Sequence, residues 1–310
     1  TLKATADRAV LNDTFNFQLP ADWASGAIAL SAYAANSSGF FTSTAAQNFT
    51  FVSTPALPVT VVPIEYHCTN SSAVVLPGDA PYNYLTNFTY RIYPVPSVNQ
   101  AVHAAARYDG PCLNNLPKPT STDWSNLLGV VTSIWTAEGL PNRYYYGLVK
   151  IDCGSSCIAG LGYLGYYQTA VGFDGFGAAH SGASETHAHE VGHNHGRQHA
   201  PGCGASGVDS AFPYVPADGK ARIGDAAHPN FGFDFNGLKI YTYNAYYDMM
   251  SYCDPEWVSD YTYEALWQYD NTLRLSQPDR LIGARSILVA GQIHAPTGDV
   301  TLRPAYVIDE

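Results

Sequence analysis

The stretch from Thr186 to Cys203 contains the residue types and the spacing best suited to chemistry. It reads THAHEVGHNHGRQHAPGC and includes His189, Glu190, His193 and His199. The first two of these histidines are four residues apart, so on an α-helix both imidazoles lie on one face and can bind one metal ion. Glu190 lies beside His189, where its carboxylate can reach a water on the ion without being a ligand.

Gly196 indicates how a third imidazole reaches the same ion. A ligand on the next helical turn would lie outside tetrahedral reach, so the helix must end after His193. Glycine adopts the left-handed conformation that follows a helix at little steric cost, which lets His199 approach from another direction. Three imidazoles with one open position describe a catalytic zinc site. The alternative is a histidine-rich helix with surface imidazoles, which the length of the pattern disfavours.

The complete pattern, H-E-x-x-H-x-x-G-x-x-H, resembles the signature of the metzincin metallopeptidases. Metzincins carry a methionine-containing turn beneath the metal, and the two methionines of this chain, Met249 and Met250, follow the motif. Astacin- and serralysin-like families have a tyrosine two residues after the turn methionine. By that resemblance Met250 is the turn residue and Tyr252 is the tyrosine, whereas we interpret Met249 as core packing. The chain is also loosely similar to secreted StcE-like enzymes.

This resemblance implies a zinc-dependent endopeptidase that acts on protein substrates. Glu190 is expected to be the general base for the attacking water, and Tyr252 to donate a hydrogen bond to the developing oxyanion. One alternative is a metallopeptidase selective for glycoproteins or mucins. An alternative of another class is an extracellular glycan- or protein-binding module with a non-catalytic zinc site. The presence of Glu190 argues against it, because a structural site needs no base.

The composition restricts the class of protein. The 310 residues are 46% hydrophobic and 13% charged, which indicates a folded chain of more than one domain. The net charge of −11 and the pI near 5.2 argue against a basic nucleic-acid-binding surface. The chain contains no apolar run long enough to span a membrane. We expect a monomer whose partner is its substrate.

The cysteines indicate an oxidising, extracellular environment. An even number in a lightly charged, Asn- and Ser-rich chain suggests disulfides. The sequence cannot choose among the pairings, but we favour Cys68–Cys112, Cys153–Cys157 and Cys203–Cys253. The resemblance supports the last pair, because the metzincin fold brings the segments after His199 and Met250 together. Five Asn-x-Ser/Thr sequons are compatible with a glycoprotein, at Asn12, Asn36, Asn48, Asn70 and Asn87.

The chain divides into three regions of different pattern, which together predict an α+β protein. Residues 1–56 contain short β segments and are expected to form an immunoglobulin-like module that braces the catalytic domain or binds a glycan. Residues 57–275 are expected to form the metzincin-like domain, with a mixed sheet, an active-site helix and a C-terminal helix. Residues 276–310 alternate as two strands around a Pro-Thr-Gly turn and look like part of another β module.

The periodicity within the catalytic region predicts individual elements. We expect strands at 59–66, 88–93 and 143–151, and helices at 98–108, 124–135, 184–196 and 261–273. The stretch 172–177 has two interpretations: it lies near the sheet edge over the cleft, where a substrate could add as an extended strand, or it is a flexible loop.

Other polar residues have weaker interpretations. His187 and His195 lie off the face that carries the first two zinc ligands, so we interpret them as non-ligands. A calcium ion is a further candidate cofactor at Asp218, Asp225 and the segment 234–237. Solvated turns explain these residues better, because their spacing matches no calcium loop.

Overall fold

The computed structural model describes most of the chain between residues 7 and 274 and four short strands beyond it. The described ranges are 7–13, 18–20, 23, 25–31, 33–35, 38–39, 41–43, 45–69, 71–113, 121–151, 158–165, 167–274, 286–288, 291–294, 299–302 and 306–308. Helices and strands both occur in this part of the chain and include a mixed sheet, which agrees with the predicted α+β class.

The N-terminal region contains two antiparallel strand pairs. β1 (Gly26–Leu30) pairs with β4 (Gln47–Phe51), and β2 (Tyr33–Ala35) pairs with β3 (Phe41–Ser43). The predicted β character of this region is therefore present. These two pairs do not by themselves establish an immunoglobulin-like sandwich, so that arrangement stays a prediction.

A seven-stranded mixed sheet is built around one long strand, β5 (Leu57–Cys68). The remaining strands are β6 (Val74–Val75), β7 (Val98–Val102), β8 (Ala106–Gly110), β9 (Tyr144–Val149), β10 (Gly160–Gly162) and β11 (Thr169–Phe173). β5 pairs in parallel with β7 and then β8 on one side, and with β9 on the other. β11 adds in parallel to β9, and β10 is the antiparallel edge strand. Pro63, which has no N–H to donate, lies where β5 changes partner from β7 to β8.

The strand periodicity of β5 separates two hydrophobic cores. Odd-numbered residues such as Val59 and Val61 pack in the core that contains both methionines, whereas Val62 and Ile64 pack in the core that contains Trp124. Successive side chains of a strand point to opposite faces, so one continuous apolar run serves both layers. The sheet is therefore covered on both faces.

Four helices accompany the sheet in the described residues. They are α1 (Asn87–Ile92), α2 (Ser121–Ala137), α3 (Ala183–Asn194) and α4 (Asp260–Gln268), and α4 continues into a π-helical turn, Tyr269–Arg274. The predicted helices at 124–135, 184–196 and 261–273 correspond to α2, α3 and α4 with its π-helical turn. Ser259 is the N-cap of α4, since its side chain accepts a hydrogen bond from the backbone N–H of Thr262.

Two predicted elements are wrong. Residues 88–93 were expected to form a strand, but α1 occupies them, with Phe88 and Ile92 one turn apart on its buried face. Residues 98–108 were expected to form a helix from their alanine content, but they form β7 and β8. Pairing with β5 supplies the backbone hydrogen bonds there, and this tertiary context overrides the local helix propensity.

The segment between α3 and α4 consists mainly of loops with two small strand pairs. β12 (Gly232–Asp234) pairs antiparallel with β13 (Lys239–Tyr241), and β14 (Tyr247–Asp248) pairs in parallel with β15 (Glu256–Trp257). Near the end of the chain β16 (Ser286–Leu288) pairs with β19 (Tyr306–Ile308), and β17 (Gly291–His294) pairs with β18 (Asp299–Leu302). The inner pair flanks the predicted Pro-Thr-Gly turn.

Two of the three predicted disulfides are present. Cys68–Cys112 joins the end of β5 to the segment after β8, and Cys203–Cys253 joins the loop after α3 to the segment after β14. The predicted pair of Cys153 and Cys157 lies outside the described residues. None of the described helices has both the length and the apolar character needed to cross a bilayer.

Candidate metal centre

Three imidazoles converge at the end of α3. One ring nitrogen each of His189, His193 and His199 lies within 4.8 Å of the other two. The first two histidines are one turn apart on α3, and the third reaches them from the loop beyond the helix. The Nε2 atoms of His193 and His199 are 3.1 Å apart. The predicted ligands are thus brought together with the spacing of a metal site, and they are the one such group among the described residues.

The backbone fixes the tautomer of each ring. Each Nδ1 lies within hydrogen-bonding distance of a carbonyl oxygen, which can only accept. The pairs are His189 with Met249 at 2.9 Å, His193 with Arg197 at 2.6 Å and His199 with Ser206 at 2.5 Å. Each Nδ1 therefore carries the hydrogen, and a neutral ring then presents the Nε2 lone pair. Such carbonyl partners orient metal-binding histidines and raise their basicity as ligands.

The three rings suit a metal cation. With both Nδ1 atoms protonated, the facing Nε2 atoms of His193 and His199 present two lone pairs to each other, which is repulsive unless a cation lies between them. Burial, with the neighbouring imidazoles, lowers the pKa of His189 to about 3, and burial lowers that of His193 to about 4. Both rings are therefore neutral near pH 7, as metal ligands must be.

The turn that follows α3 directs the third ligand. Gly196 has φ 76°, in the left-handed region, and a Cβ there would meet no atom within 4 Å. The glycine is thus needed for its backbone conformation and not for space. The N–H of Arg197 donates to the carbonyl of Gly192 at 3.0 Å, which closes the turn. The prediction that Gly196 ends the helix agrees with α3, whose last residue is Asn194.

The methionines lie directly beneath α3. Met249 and Met250 are both buried, and a Cβ at Gly192 would lie 2.6 Å from the Met250 sulfur. The carbonyl of Met250 accepts from the N–H of Ala200 at 2.8 Å, next to the third histidine. Buried Asp248 accepts from the Met250 N–H at 2.9 Å and supports the turn. Met250 therefore packs against the helix that carries the first two imidazoles, and Met249 contributes its carbonyl to His189.

Glu190, a residue of α3, lies against the edge strand β10. Its side chain is buried, and burial raises its pKa to about 8, partly offset by a hydrogen bond from the backbone of Gly162. A Cβ at Gly160 would lie 2.7 Å from the Glu190 Cγ, and one at Gly162 would lie 2.5 Å from its carbonyl oxygen. The edge over the site is therefore β10. The expected stretch 172–177 instead begins on the adjoining strand, where Gly172 pairs with Gly160.

Tyr252 stands at the open side of the three imidazoles. Its hydroxyl is 3.1 Å from His199 Nε2, and the residue is 52% exposed. Burial of the hydroxyl and the negative charge of Glu190 raise its pKa, so it is a protonated hydrogen-bond donor at neutral pH. The hydroxyl therefore lies beside the Nε2 atom of the third imidazole.

Two further histidines and the calcium candidates lie away from the three convergent imidazoles. His187 bonds Thr89 through Nδ1, and His195 lies 3.2 Å from Asp270, so neither belongs to the ligand group. The calcium candidates Asp218, Asp225 and Asp234 contact Arg222, His228 and Arg91 respectively and do not form one group.

Gly160 and Gly162 were not identified from the sequence, since two glycines about thirty residues before Glu190 carry no spacing signal.

The described residues at this site thus comprise three convergent imidazoles that can hold a metal ion, one buried carboxylate and one exposed phenol. Any function must be inferred from this geometry. No protein-family model matches the chain, and no curated protein is found to be similar to it.

Proposed function

We propose that the protein is a secreted, zinc-dependent endopeptidase of the metzincin type. The observation that supports this most is the convergence of three Nε2 lone pairs beside the buried carboxylate of Glu190. Three neutral nitrogen ligands suit zinc, and an open fourth position is the mark of catalytic zinc sites. A bound zinc ion would supply Lewis acidity and lower the pKa of a water molecule at the open position.

Glu190 and Tyr252 have the two other roles in the proposed hydrolysis, proton transfer and hydrogen-bond donation. Glu190 accepts a proton from the attacking water and delivers it to the leaving amine. Its carboxylate is buried, so a bound cation nearby favours the ionised form that a base requires. The Tyr252 hydroxyl donates a hydrogen bond to the carbonyl oxygen as negative charge develops there.

The edge strand β10 suggests how a polypeptide would lie in the site. β10 pairs on one side with β11, and its residues Gly160 and Gly162 lie against Glu190. An extended peptide can add to a free strand edge through main-chain hydrogen bonds. A substrate bound in this way would place a peptide bond beside the three imidazoles.

The deciding experiment compares metal content and proteolysis in three proteins. We expect the wild type to contain about one zinc per chain and to cleave unfolded protein substrates. Glu190→Gln keeps the zinc and loses turnover, whereas His193→Ala loses both. Wild-type turnover in Glu190→Gln would remove the proposed base. Zinc binding without cleavage of any substrate would instead favour the binding-module alternative.

Substrate range is tested with one mucin-type glycoprotein, native and enzymatically deglycosylated. Equal or faster cleavage of the stripped form is expected of a peptidase that reads peptide alone. Cleavage of only the native form, absent in Glu190→Gln, would support the glycoprotein-selective alternative.

A further inference from the structure

A buried histidine follows the metal-binding helix directly. The side chains of His195 and Asp270 are both fully buried, with His195 Nε2 3.2 Å from Asp270 Oδ1 and 3.2 Å from the Tyr144 hydroxyl. His195 Nδ1 donates to the carbonyl of Val191 at 2.8 Å. Asp270 belongs to the π-helical turn after α4, so this contact joins the C-terminal helix to the end of α3.

A second contact joins α4 to the other side of the Gly196 turn. The guanidinium carbon of Arg197 lies 5.0 Å from the centre of the Tyr261 ring, and Tyr261 is in the first turn of α4. The Tyr261 hydroxyl donates to Asp209 at 2.8 Å, and Asp209 also accepts from Arg197 at 3.3 Å. Arg197 is thus held between an aromatic face and a carboxylate.

A third contact reaches the backbone of a metal ligand. The Tyr269 hydroxyl donates to the carbonyl of Gly165 at 3.1 Å, and the Gly165 N–H donates to the carbonyl of His193 at 2.8 Å. Tyr269 also packs against the His195 ring, with centroids 5.0 Å apart. Asp270, Tyr261 and Tyr269, which we call the α4 clamp, therefore contact the segment 193–197 at three points.

The segment 193–197 contains a carbonyl group that orients one of the metal ligands. The Arg197 carbonyl accepts from His193 Nδ1 at 2.6 Å and so sets the orientation of that ring. Two residues beyond it the chain reaches His199, the third ligand. A shift of this turn would rotate His193 and displace His199 together, because both depend on the path of the backbone through Gly196.

We propose that the α4 clamp is a positioning device for the metal centre, with Asp270 and Tyr261 acting through the turn 195–197 and not by contact with the ion. This inference rests on the proposed function only in that the site binds zinc. The three clamp residues come from one helix and its extension, within residues 261–270, whereas the segment that they contact is 193–197. The metal site is therefore complete only when the C-terminal helix has packed against that segment.

The test measures metal affinity separately from fold stability. The variants are Asp270→Asn, Asp270→Ala, Tyr261→Phe and Tyr269→Phe. The control is Asp109→Asn on the central sheet, where the exposed Asp109 carboxylate contacts His67 and Arg107. Zinc affinity is measured by competition with a chelator, cobalt coordination by visible absorption, and fold stability by melting of the metal-free protein. Mutation of a residue that supports a metal ligand typically lowers metal affinity by about 10–100-fold.

We expect zinc affinity to fall about tenfold or more in Asp270→Ala and less in Asp270→Asn. Both tyrosine variants should show a smaller loss and an altered cobalt spectrum, whereas Asp109→Asn should match the wild type. The kcat for peptide hydrolysis should fall more than KM rises. If Asp270→Ala does not fold, the two Tyr→Phe variants, which each remove one hydroxyl, carry the test.

Unchanged zinc affinity and cobalt spectra in variants whose metal-free melting temperature falls would overturn the proposal and leave a purely structural contact. A wild type that binds zinc but cleaves no peptide would count against the proposed peptidase activity alone, because the affinity comparison still decides the role of the clamp. The two failures are therefore distinguishable.

Discussion

At the scale of single residues, the candidate metal site depends on backbone atoms as much as on side chains. Each imidazole is oriented by a carbonyl, of Met249, Arg197 or Ser206, and Glu190 is approached by the backbone of β10. The orientation of the three imidazoles therefore depends on the backbone path through these three carbonyls as well as on the ligand side chains themselves.

Gly160→Ala tests the close approach of β10 to Glu190, the proposed general base. The added Cβ would lie 2.7 Å from the Glu190 Cγ, so the carboxylate must move. We expect kcat/KM to fall about 100-fold, since a displacement of about 1 Å can cost that much, with zinc content unchanged. The control is Gly129→Ala in α2, where a Cβ meets no atom within 4 Å. Wild-type kinetics for Gly160→Ala would show that Glu190 tolerates the shift.

Tyr252→Phe tests the proposed oxyanion donor. The substitution removes only the hydroxyl that lies 3.1 Å from His199 Nε2. Loss of one such donor lowers kcat by about 10²–10³-fold in comparable sites, and KM should change little because the contact strengthens only as charge develops. Separate measurement of kcat and KM checks this, with Tyr263→Phe as the control on the exposed face of α4. An unaltered kcat would assign Tyr252 to packing.

At the scale of elements, local sequence predicted those parts of the site that lie within one helix and the loop that follows it. Helical spacing predicted that His189 and His193 share one face, and the conformational freedom of glycine predicted the turn at Gly196. The wrong predictions at α1 and β7 have a physical cause, because both segments are short and depend on tertiary partners. β7 pairs with β5, and α1 packs against α3. The edge glycines of β10 and the clamp residue Asp270 could not be predicted, since only the tertiary fold brings them to α3.

The disulfide Cys203–Cys253 joins two loops beside the candidate metal site, the one that contains Ser206 and the segment after the two methionines. Replacing both cysteines by serine should destabilise the protein by about 2–4 kcal/mol and weaken zinc binding, since the Ser206 carbonyl orients His199. Urea unfolding and chelator competition measure the two effects.

Removal of Cys68–Cys112 is the matched control for that experiment. The two bridges close loops of similar length, with sequence separations of 44 and 50, so chain entropy predicts similar losses of stability. Only the loss of Cys203–Cys253 should lower zinc affinity. Equal affinity losses in both variants would mean that global stability and not local positioning controls the metal site.

At the scale of the whole molecule, the ion pair of Arg91 and Asp234 joins α1 to the β12–β13 pair across 143 residues of chain. The guanidinium donates to both carboxylate oxygens, at 3.1 Å and 2.6 Å, and the Asp234 side chain is only 7% exposed. Such a two-point contact is more favourable than an ordinary surface pair. α1 packs in turn against α3, where Ser184 accepts from the Phe88 N–H.

This ion pair predicts how stability depends on pH. Burial alone would raise the pKa of Asp234, but hydrogen bonds from Arg91 and from the backbone of Asn236 and Gly237, together with the charge of Arg91, outweigh it and hold the pKa below its ordinary value. The unfolded chain therefore binds this proton first as the pH falls. The contribution of the pair to stability is fully present above the unfolded pKa of about 3.9 and is lost as the pH falls through the lower folded value.

Asp234→Asn should lower the free energy of unfolding by about 1.5–3 kcal/mol at pH 7 and by progressively less below pH 4. Urea unfolding of the metal-free protein at several pH values measures this difference, and Asp218→Asn, at an exposed pair with Arg222, should change stability by less than about 1 kcal/mol. A deficit of Asp234→Asn that stays constant down to pH 2 would show that packing and not charge holds α1 to this strand pair.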